Sequence, residues 1–346
     1  MALTVTAGLL SGCGDSGAEK ADSTGAEAAE SKSDEAGDDN QGKETAADSD
    51  KELAIQVIVN TLSSEYWGYV EAGAKAYGEE HPNVKVEVVG PTSETAYDEQ
   101  QNMVETAMTS GGYDGLVISA LQTDTVANII KGTKTPVVSV NTNLNCPESL
   151  SFVGTGNEAA AKDGAKAAVE AAKAAGWEEV TAINIAGVQG DPTHAERTKG
   201  FQEGTEEAGG TFLADEIQYA DSVADKAVNS MEAIIQNHPE GVSIIFCNND
   251  DMAMAAARTA AGNEAYANTI FCGFDGIQSA CESILKDEET MSIAQDPYGM
   301  GYKSVEACVA AINGETLDEF IDTGCAVITK DNAQEQLDTL KGYLGE

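Results

Sequence analysis

The chain is short of positive charge. Its 346 residues hold 19 Lys and Arg against 59 Asp and Glu, a formal net charge of -40. Nucleic-acid binding draws on clustered Lys and Arg that neutralise phosphates and release counterions, so a DNA or RNA partner is excluded. A surface this acidic serves solubility instead. Histidine is scarcer still: His81, His194 and His238 are the only three, and none has a nucleophile or metal partner at a suggestive spacing. No H-E-x-x-H, G-x-S-x-G, P-loop or EF-hand loop occurs. An enzyme is therefore not expected, and neither is a metal or cofactor. Aromatic residues make up only 5%, and no apolar stretch is long enough to span a bilayer.

GTGNEA, from Gly154 to Ala159, does match the dinucleotide fingerprint. A dehydrogenase would need an acidic residue ending the next strand to hold the ribose, and VTAINIAG ends in Ala186 and Gly187 instead. The match reads as a crossover segment. Cysteines offer no C-x-x-C pair and no zinc-finger spacing. Cys247 and Cys272 fall inside strand-like apolar runs and read as buried free thiols; disulfides among Cys146, Cys281, Cys308 and Cys325 stay open.

What is present begins with MALTVTAGLLSGCG, an apolar run followed by small residues and Cys13. Leu10 to Cys13 resembles the lipobox of bacterial lipoproteins, where the peptide is cut before the Cys and the thiol takes a diacylglycerol. Residues 1–13 are thus expected to be a lipoprotein signal segment. Gly14 to Asp50 holds twelve acidic residues against three lysines, with no aromatic. Such composition cannot bury enough surface to offset its ordering entropy, so 14–52 reads as a disordered acidic tether.

From Leu53 short β-rich runs alternate with longer helical stretches. LAIQVIV, VKVEVV, DGLVI, PVVSV and SFV form one series; VTAINI, TFLADEI, VSIIFC, TIFCGF and MSIA form a second. Strands that are apolar throughout and separated by helices imply parallel sheets covered on both faces. The length allows two domains of roughly 150 residues each. The expectation is α/β, with two doubly wound parallel-sheet lobes of flavodoxin or Rossmann-like type. In such sheets ligands sit beyond the carboxyl ends of the strands.

Those ends carry Asn60-Thr61, Asn141-Thr142, Asn248-Asn249-Asp250, Phe274-Asp275 and Gln295-Asp296, with no Gly-rich phosphate cradle. Amides offer a donor and an acceptor together, and a carboxylate accepts two hydrogen bonds. That set suits hydroxyl groups. Arg197, in HAERTKGF, adds a fork of fixed donors; Tyr66 and Trp67, in NTLSSEYW, add flat apolar faces. Asp250, ahead of MAMAAA, reads as a helix N-cap. Trp67, Val70, Ala74 and Tyr77 fit a helical stripe, so Trp67 could equally begin a core face, whereas Tyr66 lies off that stripe.

TLSSEYWGYVEAG, PVVSVNT, HAERTKGFQEG, IIFCNNDDMAMAAA, CGFDGI and SIAQDP together resemble, in order and spacing, the type I periplasmic sugar-binding proteins of the ribose- and allose-binding kind, receptors of ABC importers. The resemblance covers about Leu53 to the end. It implies two lobes, 53–155 plus 296–324 and 156–295 plus 325–346, joined by three crossovers near Gly154–Gly156, Ala294–Asp296 and Thr323–Cys325. It implies that Tyr66 and Trp67 pack on a sugar ring, while Arg197, Asn249, Asp275 and Gln295 bind hydroxyls and ring oxygen. Asn60 and Asn141 complete the expected set. Where ribose receptors often carry Asp and Arg this chain has Asn141 and Thr142, which tells against ribose. Ser222 falls near the place of a second-lobe stacking aromatic, with Tyr219 close by. The implied function is an extracytoplasmic receptor on the outer face of the cytoplasmic membrane, lipid-anchored and monomeric, that hands a neutral monosaccharide or polyol to an ABC permease. A sugar-acid receptor, or a receptor for a quorum-type or chemotactic signal, is the alternative. A transcriptional repressor with the same core would place a basic helix-turn-helix where the acidic tether stands.

Overall fold

The computed structural model describes residues 51–345. The lipid-attachment residue Cys13, the signal segment and residues 14–50 of the tether lie outside the described residues. Lys51 and Glu52, read as the tether's end, already pair with the folded body, Lys51 with Asp114 at 2.7 Å and Glu52 with Lys85 at 2.6 Å.

The first series of elements is β1 (Leu53–Ile58), α1 (Glu65–Glu80), β2 (Val84–Val89), α2 (Tyr97–Ser110), β3 (Gly115–Ile118), α3 (Thr123–Ile130), β4 (Val137–Val140) and β5 (Ser149–Gly154). The second is α4 (Asn157–Ala174), β6 (Thr181–Ala186), α5 (Pro192–Glu207), β7 (Thr211–Phe212), β8 (Gln218–Tyr219), α6 (Ala224–Asn237), β9 (Ile244–Cys247), α7 (Asp250–Ala260), β10 (Ile270–Asp275), α8 (Gln278–Leu285) and β11 (Met291–Gln295). The chain closes with α9 (Pro297–Ile312), β12 (Phe320–Asp322), β13 (Cys325–Ile328) and α10 (Ala333–Leu344). One sheet runs β12-β5-β4-β3-β1-β2, the other β13-β11-β10-β9-β6-β7, with β8 also pairing β6. Both reverse strand order beside their first strand, which opens a crevice at the carboxyl ends there.

Two strand expectations change. β13 runs antiparallel to β11, because the chain reaches the second sheet through a short turn from β12 with no crossover helix between them. TFLADEI is not one strand: a 3-10 turn at Ala214–Glu216 separates β7 from β8. Its charged Asp215 and Glu216 stay out of the sheet.

The chain passes between sheets at three places: from β5 to α4, from β11 to α9, and from β12 to β13. GTGNEA forms the first crossing. Thr323 N donates to Gly154 O at 2.9 Å, and Thr155 Oγ1 to Gly324 O at 3.4 Å, which ties the first crossing to the third.

Packing fixes the helix that matters for the cavity. On α1, a Cβ at Gly73 would lie 1.9 Å from Tyr298 O; on α9, one at Gly301 would lie 2.0 Å from Val70 O. Only glycine lets these two backbones approach so closely. Behind them Ile55, Val57, Val70, Val117, Val138 and Val305 form one apolar core. That cluster reaches Met254, Ile277 and Ala280 of the second lobe, while Tyr69 of α1 packs into a second-lobe cluster with Ile284 and Leu337. The lobes therefore touch. Cys247, Cys272, Cys281 and Cys308 are buried, and these with Cys146 and Cys325 are all free thiols.

Candidate functional site

Beyond β1 the backbone turns through Asn60 and Thr61 into α1, whose first turn carries Tyr66 and Trp67. Both rings are buried, 4% and 2% exposed, and meet edge to face at 5.2 Å between centroids. They belong to the first-lobe core together with Val70, Ala74 and Tyr77, and both also line a cavity between the lobes. The stripe reading and the cavity reading of Trp67 therefore hold at once. Tyr66 donates from its hydroxyl to Asn141 Oδ1 at 2.8 Å, and burial raises that phenol well above its ordinary pKa. It stays a donor. Trp67 Nε1 donates to Glu94 Oε1 at 2.9 Å.

Asn141 follows β4 with φ of 59°, in the left-handed region where Asn is among the few tolerated side chains. Its Nδ2 donates to Thr142 Oγ1 at 3.3 Å, and Thr193 Oγ1 of the other lobe reaches the same oxygen at 3.3 Å. Asn60 lines the cavity with a buried Oδ1 that has no hydrogen-bond partner among the described residues.

The second lobe supplies charge. Arg197, on α5, is 3% exposed. Its Nε donates to Asn157 Oδ1 at 2.9 Å; its Nη1 donates to Asn248 O at 2.7 Å and faces Asp275 Oδ1 at 3.4 Å. The guanidinium carbon sits 3.8 Å from the centroid of the Phe274 ring, within cation–π range. Asp275 ends β10 with φ of 123°, a conformation seldom adopted by non-glycine residues. Gln295 Nε2 donates to its Oδ1 at 2.7 Å. Burial pushes the Asp275 carboxyl up to about 7, against the opposing pull of Arg197 and of the Gln295 hydrogen bond. Gln295 itself does not line the cavity; it acts through Asp275.

Asn249 lines the cavity and caps α7, accepting from Met252 N at 2.9 Å, while its Nδ2 donates to Ser222 O at 3.3 Å. The cap expected of Asp250 thus falls one residue earlier. Asp250 is fully buried: Ser292 Oγ donates to it at 2.6 Å and Ile277 N at 3.0 Å. It ties the start of α7 to the turn after β10 and to the beginning of β11. Of the second-lobe pair noted in the sequence, Ser222 lines the cavity, whereas Tyr219 is 49% exposed and lies outside it.

The cavity gathers Asn60, Tyr66, Trp67, Asn141, Arg197, Asn249 and Asp275 from separate strand ends. It also includes residues that sequence reasoning passed over: Ser64, Glu94, Asp191 and Thr193. Glu94 follows β2 in GPTSET and Asp191 follows β6 in GVQGDPTHAER, so the strand-end rule applied to those two strands would have found them. His194 joins them, with Nε2 3.1 Å from Ser222 Oγ and Nδ1 buried and unpartnered. A larger groove of about 570 Å³ lies elsewhere, lined by Arg258, Asn263, Tyr266 and Glu288. It sits before the starts of β10 and β11, the wrong end of the sheet for a ligand. No group of three or more His, Cys, Asp or Glu side chains among the described residues is placed to hold a metal ion.

A model of the family described as periplasmic binding protein domain matches residues 55–316. The ribose import binding protein of Salmonella typhimurium strain LT2 is 27% identical over 264 residues, 75% of this chain and 85% of that protein. The D-allose-binding periplasmic protein of Escherichia coli K12 is 26% identical over 269 residues, 74% and 83% of the two chains. Among solved structures, a carbohydrate transporter solute binding protein from Agrobacterium radiobacter in complex with D-arabinose superposes with a TM-score of 0.75. It is 26% identical, over 84% of this chain and 98% of its own. An ABC transporter solute binding protein from Agrobacterium vitis with bound D-fucose matches with a TM-score of 0.75 at 25% identity, over 83% and 99%.

Proposed function

The chain belongs to the periplasmic binding protein domain family, and from that premise we propose that it is the extracytoplasmic receptor of an ABC importer for a neutral monosaccharide or polyol. The family is one of binding proteins, not enzymes. One observation carries the ligand class: around a single cavity, two aromatic rings and two amides from one lobe face an amide, a guanidinium and carboxylates from the other. Stacking faces and paired donors and acceptors are what a ring bearing hydroxyls requires. The relatives named for ribose and allose, and the structures holding arabinose and fucose, support the same class.

Entry needs the lobes to part. The cavity measures about 30 Å³, room for one or two waters at roughly 15 Å³ each. The lobes, 53–155 with 296–324 and 156–295 with 325–346, swing about the three crossings. Tyr66 and Trp67 take the sugar first, and closure brings Arg197, Asn249 and Asp275, the last held by Gln295, over it, while Asn60 and Asn141 bind its edges. Contacts made only in the closed form bias the equilibrium by their differential affinity. The receptor works as a monomer, held to the outer face of the membrane through a diacylglycerol on Cys13, which mass spectrometry of the N-terminal peptide checks. Such an anchor, joined to the folded body through residues 14–52, would keep it at high effective concentration beside its permease.

A thermal-shift screen of the purified chain against pentoses, hexoses and polyols tests the reading. A ligand at 100 times its dissociation constant adds ~2.7 kcal/mol to a protein it binds only when folded. A clear shift with one stereochemical series is expected; a folded protein silent to every sugar and polyol would overturn it.

A further inference from the structure

The cavity holds more negative charge than an uncharged sugar needs. Glu94 and Asp191 line it beside Asp275, whose carboxyl burial raises to about 7, against a single guanidinium. That guanidinium is already engaged, by Asn157, by the Asn248 carbonyl and by Asp275 itself. His194 does not restore the balance, because burial pushes its imidazole below the ordinary pKa against the pull of Asp191. Among the described residues Glu94 and Asp191 meet only neutral donors: the Trp67 indole N–H at 2.9 Å for Glu94, and the His194 backbone N–H at 3.1 Å for Asp191. They arrive from opposite lobes, one after β2 and one after β6. Acceptors are in surplus elsewhere too. Asn60 Oδ1, buried and lining the same cavity, has no hydrogen-bond partner among the described residues.

Like charges brought together out of water repel strongly, and opposite charges attract with equal strength. An anionic ligand would therefore face two carboxylates without a free cation to answer it. A ligand rich in hydroxyl donors satisfies the surplus acceptors, and an ammonium does so with charge as well. Trp67 holds the Glu94 carboxylate beside the indole on which a ring would stack.

We propose that Glu94 and Asp191 set the charge selectivity of this site, which admits polyhydroxylated ligands that are uncharged or carry an ammonium group and excludes sugar acids and sugar phosphates. The inference rests on the receptor reading and adds which residues choose among sugars. It also bears on the sugar-acid alternative: Arg197 faces Asp275, whose carboxyl competes with a ligand carboxylate for the guanidinium.

The test is a titration followed by tryptophan fluorescence, using three matched sets: glucose, galactose and ribose, each with its 2-amino and its uronic acid analogue. In the set that binds, the uronate should be at least tenfold weaker than the neutral sugar, and the amino sugar as tight or tighter. Glu94→Gln should narrow the neutral-to-uronate ratio at least threefold. Asp191→Asn, which keeps an acceptor for His194 N, should narrow it by a smaller factor. A purely structural loss would weaken all three analogues alike and leave the ratio where it was. A uronate that binds the unaltered protein as tightly as its neutral parent, or a ratio unmoved in both variants, would overturn the proposal. Binding by the acids alone would sink this inference and leave a receptor of another ligand charge, whereas silence from all nine compounds and from every sugar and polyol of the thermal-shift screen would sink the receptor reading and this inference with it.

Discussion

Tyr66, Trp67, Asn60 and Asn141 reach the cavity from the first lobe; Arg197, Asp275, Asn249 and Asp191 reach it from the second. The two groups are held by different physics. The rings are seated in an apolar core whose shape is set by α1 against α9, and they need one hydrogen bond each to fix their polar ends. The guanidinium and carboxylate are instead suspended in a buried polar network, Asn157 and the Asn248 carbonyl behind Arg197, Gln295 behind Asp275. An apolar face can be placed by packing alone. A buried charge needs partners on every side, since each unpaired one is expensive out of water. The aromatic pair is thus a platform seated by packing, and the Arg197–Asp275 network is the part whose chemistry responds to pH.

The sharpest way to break that contrast is Asp275→Asn. The amide keeps its shape and tolerates the unusual backbone, but it removes the charged acceptor. Hydrogen bonds to charged groups contribute ~1.5–3 kcal/mol, so sugar affinity should fall by about ten- to a hundredfold in calorimetry. The same variant reports on pH. Because the folded-state carboxyl is raised to about 7, above an unfolded value of about 3.9, the folded protein holds the proton that the unfolded chain has lost. Its contribution to stability is then complete below pH 4 and is lost as pH rises toward 7. Denaturant titrations across that window should show a shallower fall for Asp275→Asn than for the unaltered protein. Equal slopes would place Asp275 outside the titrating set.

On the platform side, Tyr66→Phe leaves the ring in place and removes the donor to Asn141, which strands a buried oxygen at about 1–3 kcal/mol. Stability should drop by that order, while affinity changes less than for Asp275→Asn. A larger loss of affinity from Tyr66→Phe would reverse the assignment of roles to the two lobes. The smallest effect belongs to the contact between lobes. Glu65 accepts from Ser279 Oγ at 2.7 Å and from Ser279 N at 3.3 Å across the cleft. Water can replace both bonds when the lobes part, so each contributes a net of about 0.5–1.5 kcal/mol. Glu65→Gln should leave the melting temperature within a few degrees and raise the ligand off-rate several-fold in stopped-flow fluorescence; an unchanged off-rate would remove Glu65 from the closing motion.

Much of this was legible before any fold was known, though unevenly. Val84–Val89 sits where the run VKVEVV put it, and the strand-end rule pointed to Asn60, Asn141, Asn249 and Asp275, all of which line the cavity. Glu94 and Asp191 escaped notice because each stands in an acidic chain where one more carboxylate carries no signal. Gln295, expected at the ligand, donates to Asp275 and does not line the cavity, and strand position alone does not separate a residue that touches a cavity from one that braces its neighbour. The α7 cap moved from Asp250 to Asn249 for a similar reason: adjacent Asn and Asp are equivalent caps locally, and only Ser292 and Ile277, 42 and 27 residues away in sequence, decide which is taken inward.

The amino-acid sequence by itself determined the two α/β series, since periodicity and turn chemistry act over neighbouring residues. It also determined that amides and carboxylates would cluster at strand ends. Tertiary structure alone decided which of those ends meet, that Trp67 is core and cavity wall together, and that carboxylates from opposite lobes share one space with a single guanidinium. Such pairings depend on residues far apart in the chain, and their energies exist only once burial has removed the water between them.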